Sequence, residues 1–260
     1  VTAALALPAA ALAYLASWWG WIASPTAQNR EPGEPWWVSL TQWHADALAW
    51  HATLSAPHPY QSPPLTWPLG LRPTAMYEVN WSQGDGCPWP SGCVAAISPL
   101  PNLLVTWGGV AALLLLAWVV VRSVWITARR PRFARNPGLG TASAFLLVGY
   151  LSGWLPWVLT FSRSAVFQFY AVVLTPFEAL ALALVLGALW HRDRPGQPGL
   201  LALAGIHLDS SPEALLGRRI AVTIFLAIAL VVSVLFFPVW SGMPIAEWFW
   251  RAHLWLPGWD

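Results

Sequence analysis

The chain contains no lysine and little charge of any kind. Charged residues make up 9% of its 260 residues, against about 25% in soluble domains. A surface this poor in charge cannot face water throughout, which excludes an ordinary soluble domain. All 13 basic residues are arginine and the net charge is +2. No basic, aromatic-interleaved surface suggests nucleic acid as a partner. There is no phosphate-cradling glycine motif, no Ser/His/Asp arrangement, no internal repeat and no low-complexity tail. No initiator Met or basic leader precedes the first apolar block, which starts at Val1, so no signal peptide is assigned. The chain is therefore expected to be the C-terminal part of a longer protein.

What is present is apolar. Hydrophobic residues reach 57%, the mean hydropathy is +0.53, and there are 21 Trp and 24 Pro. Tryptophan collects at membrane interfaces, where its ring is apolar and its N–H can stay wet. Five blocks approach the roughly 20 apolar residues that cross a bilayer: about 1–22, 103–121, 139–161, 167–190 and 220–240. Pro156 and Pro176 predict kinks or local unwinding in the third and fourth. The apolar stretch 200–208 is too short to span and reads as interfacial or loop. The expected fold is an all-α integral membrane protein of about five spans, with a long extracytoplasmic loop.

Arginine placement sets the expected orientation. Arg122, Arg129, Arg130, Arg132 and Arg135 follow the second block, and Arg192, Arg194, Arg218 and Arg219 follow the fourth. That side is read as cytoplasmic. The opposite side carries Arg30, Arg72, Arg163 and Arg251 over a much longer length. The chain's start is then inside. The loop 24–101 and the tail 242–260 are outside, and the membrane is the cell membrane.

A loop of that length is more than a connector. Trp36, Leu40, Trp43, Ala47 and Trp50 recur at helical spacing and predict an interfacial helix. His44 and His51 share one of its faces. The following run, His58-Pro59-Tyr60-Gln61-Ser62-Pro63-Pro64-Leu65-Thr66-Trp67, is held extended by its prolines. A rigid loop bearing His58, Tyr60, Ser62, Trp67 and Arg72 can form a preorganised polar site. Trp67 could stack on a sugar or pack against apolar neighbours. His44, His51 and His58 lack the tight spacing of a zinc site, so no metal is expected. Cys87 and Cys93 both fall in the outer loop, where an oxidising compartment favours a disulfide; two free thiols are the alternative.

These segments, in order, resemble the protein O-mannosyltransferases of the actinobacterial, polyprenyl-phosphate-mannose type. The resemblance rests on Tyr14 to Trp21, His58-Pro59-Tyr60 with Ser62, Trp67-Pro68-Leu69, Arg72-Pro73 and the Cys87–Cys93 segment. It continues through Gly149-Tyr150, Gly153 to Trp157, Arg163, Phe167 to Ala171, Pro176-Phe177 and Leu254 to Trp259. It departs from the family at Pro63–Pro64 and in Ser98 to Asn102, and it lacks the family's Asp-Glu pair.

The resemblance implies a multi-spanning glycosyltransferase fold. It implies inverting transfer of mannose from polyprenyl-phosphate mannose to Ser or Thr hydroxyls of exported proteins. No cofactor is expected beyond this lipid-linked donor. The general-base Asp is expected outside this chain, so the chain alone should be inactive. Membrane lipid and secreted acceptors are the expected partners, with the secretion translocon a further candidate. Arg163 and Arg72 are candidates to contact the carrier phosphate by forked hydrogen bonds; lipid-headgroup snorkelling is the rival role. Glu178 lies inside the fourth block, where a carboxyl has either a functional or a structural reason to be. The competing function is a non-catalytic membrane module that binds a polyprenyl-phosphate lipid or scaffolds a partner. A transporter would want paired polar breaks and internal symmetry, which the sequence lacks.

Overall fold

A computed structural model describes residues 2–129, 137–160, 163–193 and 196–259. Arg130, Arg132, Arg135, Ser162 and Arg194 lie outside the described residues. The chain divides into two units, Val1–Ser55 and Ala56–Asp260.

The first unit contains α1 (Thr2–Ser17), α2 (Trp19–Ala23) and α3 (Trp36–Thr53). The block expected to be one span breaks at Trp18, which has φ −88° and ψ 2°. The Ser17 hydroxyl donates back to Tyr14 O at 2.6 Å. The Trp18 ring turns onto α3, 4.9 Å from Trp43 and 5.4 Å from His44. The apolar part of α1, Leu5–Ser17, falls short of a span. Arg30 donates to Ile22 O at 2.5 Å and Ser24 O at 3.4 Å, capping the carbonyls at the end of α2. In α3, Leu40 is buried and Trp36, Trp43 and Ala47 are half-buried, while Trp50 is exposed. His44 hydrogen-bonds with the Tyr14 hydroxyl and with Leu40 O.

The second unit is built on α4 (Leu103–Arg129), α5 (Pro137–Leu159), α6 (Thr175–Trp190) and α8 (Pro212–Ser241), with the short α7 (Leu200–Leu203) between the last two. Of these, α4, α5 and α8 are long and apolar enough to cross a membrane. α6 is shorter than the block that predicted it. Gln168–Val173 forms a 3₁₀ helix, and α6 starts at Thr175. Pro176 is the reason: it has no N–H to give an earlier turn, but it suits the first turn of a helix. It therefore begins α6 rather than kinking it. Pro156 stays inside α5 as expected.

The helices pack closely where glycine removes the side chain. A Cβ on Gly149 of α5 would collide with the Phe177 ring of α6. A Cβ on Gly109 of α4 would lie 2.9 Å from Glu178 Cβ. Around these points Leu116, Val119, Leu146, Leu174 and Ala181 form the buried core.

At the end of the bundle where α6 finishes, arginines cap helices. Arg218 and Arg219 donate through Nε to Leu189 O and Trp190 O, both at 3.1 Å. Arg122 donates to Leu203 O at 2.6 Å, and Trp118 to Ala204 O at 2.9 Å. The stretch expected to be interfacial or loop thus includes α7, whose Leu200 and Leu201 are buried. α8 begins with Ser211 accepting from Ala214 N, and Pro212 follows in its first turn. Asp209 accepts from the Ser211 backbone N–H and hydroxyl, which hold its carboxyl below the usual carboxylate range. A lowered folded pKa means this contribution is present above the ordinary value of 3.8 and lost as pH falls through the folded one.

The opposite end carries a small antiparallel sheet that the helical reading did not foresee. β1 (Tyr77–Trp81) pairs with β2 (Cys93–Ile97), and β2 with β3 (Pro244–Ala246). Trp81 stands opposite Cys93, and Cys93 opposite Ala246. Gly242, at φ +73°, ends α8 in the left-handed region and donates to Ala96 O, turning the chain into β3.

Gly149→Ala should destabilise the purified protein by about 1–3 kcal/mol, because the rigid Phe177 ring cannot yield to a new methyl. Thermal unfolding in detergent measures this, and adding Phe177→Leu should recover part of the loss.

Candidate functional site

The segment 58–73 holds five prolines, so it has five fewer backbone N–H groups than carbonyls. Indole N–H groups, which only donate, fill that deficit. Trp154 of α5 donates to Pro64 O at 2.8 Å, and Trp107 of α4 to Leu69 O at 3.0 Å. Trp259 of the tail donates to Gly70 O at 2.8 Å, and Trp67 to Ser62 O at 2.9 Å. Trp240 of α8 does the same for Leu100 O at 2.8 Å. The loop is thereby fixed to three helices and to the tail.

The site residues expected from sequence fall into two groups within this frame. His58 and Tyr60 are exposed. His58 Nδ1 accepts from Tyr60 N at 3.2 Å, and its ring meets Phe167 edge-on at 5.0 Å. Together with Thr74, Ala75, Met76 and Phe169 they line a shallow cavity of about 430 Å³. Thr74 links the two sides of it, donating to Tyr60 O at 3.3 Å and accepting from Gln168 N at 3.2 Å.

Ser62 and Trp67 are not at the surface. Ser62 is 0% exposed; its N–H donates to Val166 O at 2.8 Å and its hydroxyl pairs with Thr66. Trp67 is 3% exposed and packs against Trp157 and Tyr170. Of the two roles open to Trp67, packing is the one its surroundings fit.

The two candidate arginines also differ. Arg163 is buried. Its Nε donates to Ala165 O at 3.1 Å and one Nη to the Tyr170 hydroxyl at 3.3 Å. Its guanidinium lies 5.4 Å from the Trp157 ring centre and 5.8 Å from that of Tyr170, two rings stacked at 4.7 Å. It therefore does not snorkel to headgroups. Arg72 is exposed, and its stem passes Gly258 of the tail. Its guanidinium has no hydrogen-bond or ion-pair partner among the described residues. Arg251, in the tail, is ion-paired with Glu247 at 2.6 Å.

Cys87 and Cys93 are joined by a disulfide, with Cα atoms 5.6 Å apart, at the start of β2. Among the described residues, no three His, Cys, Asp or Glu side chains gather as a metal site would require. Sequence reasoning picked out Trp67 but not Thr74 or Tyr170 as site residues, nor the clamping role of Trp107, Trp154, Trp240 and Trp259. The signal available was that Trp107, Trp154 and Trp240 stand toward the loop-side ends of apolar blocks.

Residues 36–259 match the family model of the C-terminal four-transmembrane region of protein O-mannosyltransferase. The chain belongs to this family. The four apolar helices α4, α5, α6 and α8 all lie within the match.

Named relatives agree. The chain is 32% identical to the polyprenol-phosphate-mannose–protein mannosyltransferase of Mycobacterium tuberculosis, over 95% of this chain and 44% of that protein. It is equally similar to the Mycolicibacterium smegmatis protein of the same name, and 26% identical to that of Corynebacterium glutamicum, over 96% of this chain and 45% of that one. It thus spans less than half the length of these relatives. The fold is similar to that of the Saccharomyces cerevisiae Pmt1–Pmt2 protein O-mannosyltransferase complex bound to the sugar donor. The TM-score is 0.61 at 17% identity, covering 91% of this chain and 29% of that one. In this O-mannosyltransferase region, the loop and tail are as much part of the matched unit as the helices.

Replacing Cys93 by Ser opens a short disulfide loop and should cost about 2 kcal/mol by loop-closure entropy. Since β2 is the central strand, hydrogen exchange should rise across both β1 and β3. Unchanged exchange in β3 would show that the disulfide does not support the sheet.

Proposed function

We propose that this chain is the C-terminal membrane part of an enzyme that transfers mannose from polyprenyl-phosphate mannose to Ser or Thr hydroxyls of exported proteins. The observation that carries this reading is the family match over 36–259, which includes the helices, the clamped loop and the tail. The arginine-capped end faces the cytoplasm, and the loop end faces outward, where the chemistry takes place. The positive-inside pattern supports that orientation.

In the reaction, the bond between mannose C1 and the carrier phosphate oxygen breaks, and C1 bonds to the acceptor oxygen. The acceptor proton goes to a carboxylate base, and the phosphate leaves as an anion that needs positive charge. The base is supplied by an Asp outside this chain, and transfer inverts the anomeric centre.

Arg72 is the phosphate contact. Of the three loop-end arginines in the second unit, Arg163 is engaged by Ala165 and Tyr170 and Arg251 by Glu247. Arg72 is exposed and lies on the loop fixed by Trp107, Trp154 and Trp259. Arg163 positions the Trp157–Tyr170 pair behind that loop. His58 and Tyr60 border the acceptor or donor path, and Ser62 and Trp67 anchor the loop beneath them.

Transfer to a Ser/Thr peptide by the complete protein in vesicles, with polyprenyl-phosphate mannose as donor, tests the reading. Arg72→Ala should lower kcat/KM by about 10- to 100-fold, the effect expected from losing a charge-assisted hydrogen bond. Arg163→Ala should lower the thermal midpoint as well as activity, whereas Arg72→Ala should leave the midpoint in place. Full transfer by Arg72→Ala removes the phosphate role. A folded complete protein that transfers no mannose but still binds the carrier would favour the non-catalytic module.

A further inference from the structure

An arginine stem has several rotatable bonds, so an exposed guanidinium ordinarily samples many positions. Arg72 is exposed, but the backbone beneath it is held from two sides. Trp107 of α4 donates to Leu69 O at 3.0 Å, and Trp259 of the tail to Gly70 O at 2.8 Å. The second of these bonds is buried, where water does not compete for either partner.

Trp259 has its own seat. It is 5% exposed and belongs to a buried cluster with Leu100 of the loop, Phe236 and Val239 of α8 and Ile245 of β3. Its ring meets Phe236 edge-on. Gly70, the partner it holds, is at φ +60°, and its N–H donates to Trp67 O at 3.0 Å. A Cβ there would collide with the Pro101 ring, so only glycine fits both the backbone and the space.

The tail also reaches Arg72 directly. Gly258, at φ +90°, lies so close that a Cβ on it would be 3.1 Å from Leu71 O and 3.4 Å from Arg72 Cγ. The Arg72 stem therefore runs along bare backbone, which bars the rotamers that point that way. The residue next to this floor, Trp259, is the one that ties it to the helix bundle.

We propose that Trp259 is a positioning residue for mannose transfer. Its indole bond to Gly70 O, with the Gly258 backbone beside it, holds the Arg72 guanidinium where the carrier phosphate departs. This rests on the reading of Arg72 as the phosphate contact. Trp259 itself touches no substrate. Removing its N–H leaves the charge present but no longer fixed, so the loss falls on the step in which charge develops rather than on donor binding.

A double-mutant cycle on the complete protein in vesicles tests this, with polyprenyl-phosphate mannose as donor and a Ser/Thr peptide as acceptor. Trp259→Phe keeps a ring in the cluster and removes the donor. It should lower kcat by about fivefold, with the donor KM changed by less than about twofold. In an Arg72→Ala background the same change should have no further effect, because the group it positions is gone. Gly258→Ala, which pushes a methyl at the Arg72 stem and leaves the indole in place, should show the same dependence on Arg72. Each variant is checked for its thermal midpoint, and either one that stays folded suffices. Equal fold-losses in the two backgrounds overturn the positioning role and leave the Arg72 contact standing. Full kcat in Trp259→Phe does so too. Full transfer by Arg72→Ala alone overturns both.

Discussion

The loop end of this molecule depends on indole N–H groups meeting backbone carbonyls. Proline gives the 58–73 segment a fixed path and removes five of its sixteen backbone donors, so its own turns leave carbonyls for outside donors to meet. Beside a membrane, water is a poor substitute and charged donors are costly. Tryptophan solves both difficulties, since its ring is content in an apolar setting and its N–H reaches out of it. Because the donors stand on α4, on α5 and in the tail, the loop's position is set by the helix bundle rather than by the loop itself. Removing one indole strands a carbonyl and also frees a section of loop, so the effects of such changes should not add simply.

The other end is held by a different donor. Arg122, Arg218 and Arg219 spend their guanidinium groups on carbonyls that end α7 and α6. Helix C-termini carry partial negative charge and unpaired acceptors, and a forked cation satisfies both. These residues were read from sequence as markers of topology. The structure gives them a second task, one that lysine's single ammonium would do less well. A chain with so few charges thus uses each of these at a helix end.

The long apolar runs were legible because bilayer thickness dictates their length. Where α6 begins was not, since the same apolar letters continue through Gln168–Val173 and only Pro176 marks the change. β1 carried a weak signal in its alternation of Tyr77, Val79 and Trp81 with Glu78 and Asn80. β3 carried none: it is three residues long and pairs with a strand far back in the chain, which no local pattern records. For the site, sequence placed His58, Tyr60 and Arg72 on an exposed loop, and they are exposed. It could not tell that Ser62 and Trp67 point into the interior, because a proline-rich run has no period from which to read a face.

Arg163 and Arg72 show what residue type alone leaves open about a guanidinium. Both sit near helix or loop boundaries away from the arginine-capped end, and both are always charged. What separates them is whether the guanidinium is already satisfied. Arg163 has a carbonyl, a hydroxyl and two aromatic faces around it, so a phosphate would have to displace contacts that hold Tyr170 and Trp157 together. Arg72 offers its donors without such a loss, and its stem is braced by the same tail whose Trp259 pins Gly70. On the proposed reading, an unspent charge on a fixed loop suits a leaving anion, because no existing contact of the guanidinium has to break as charge develops.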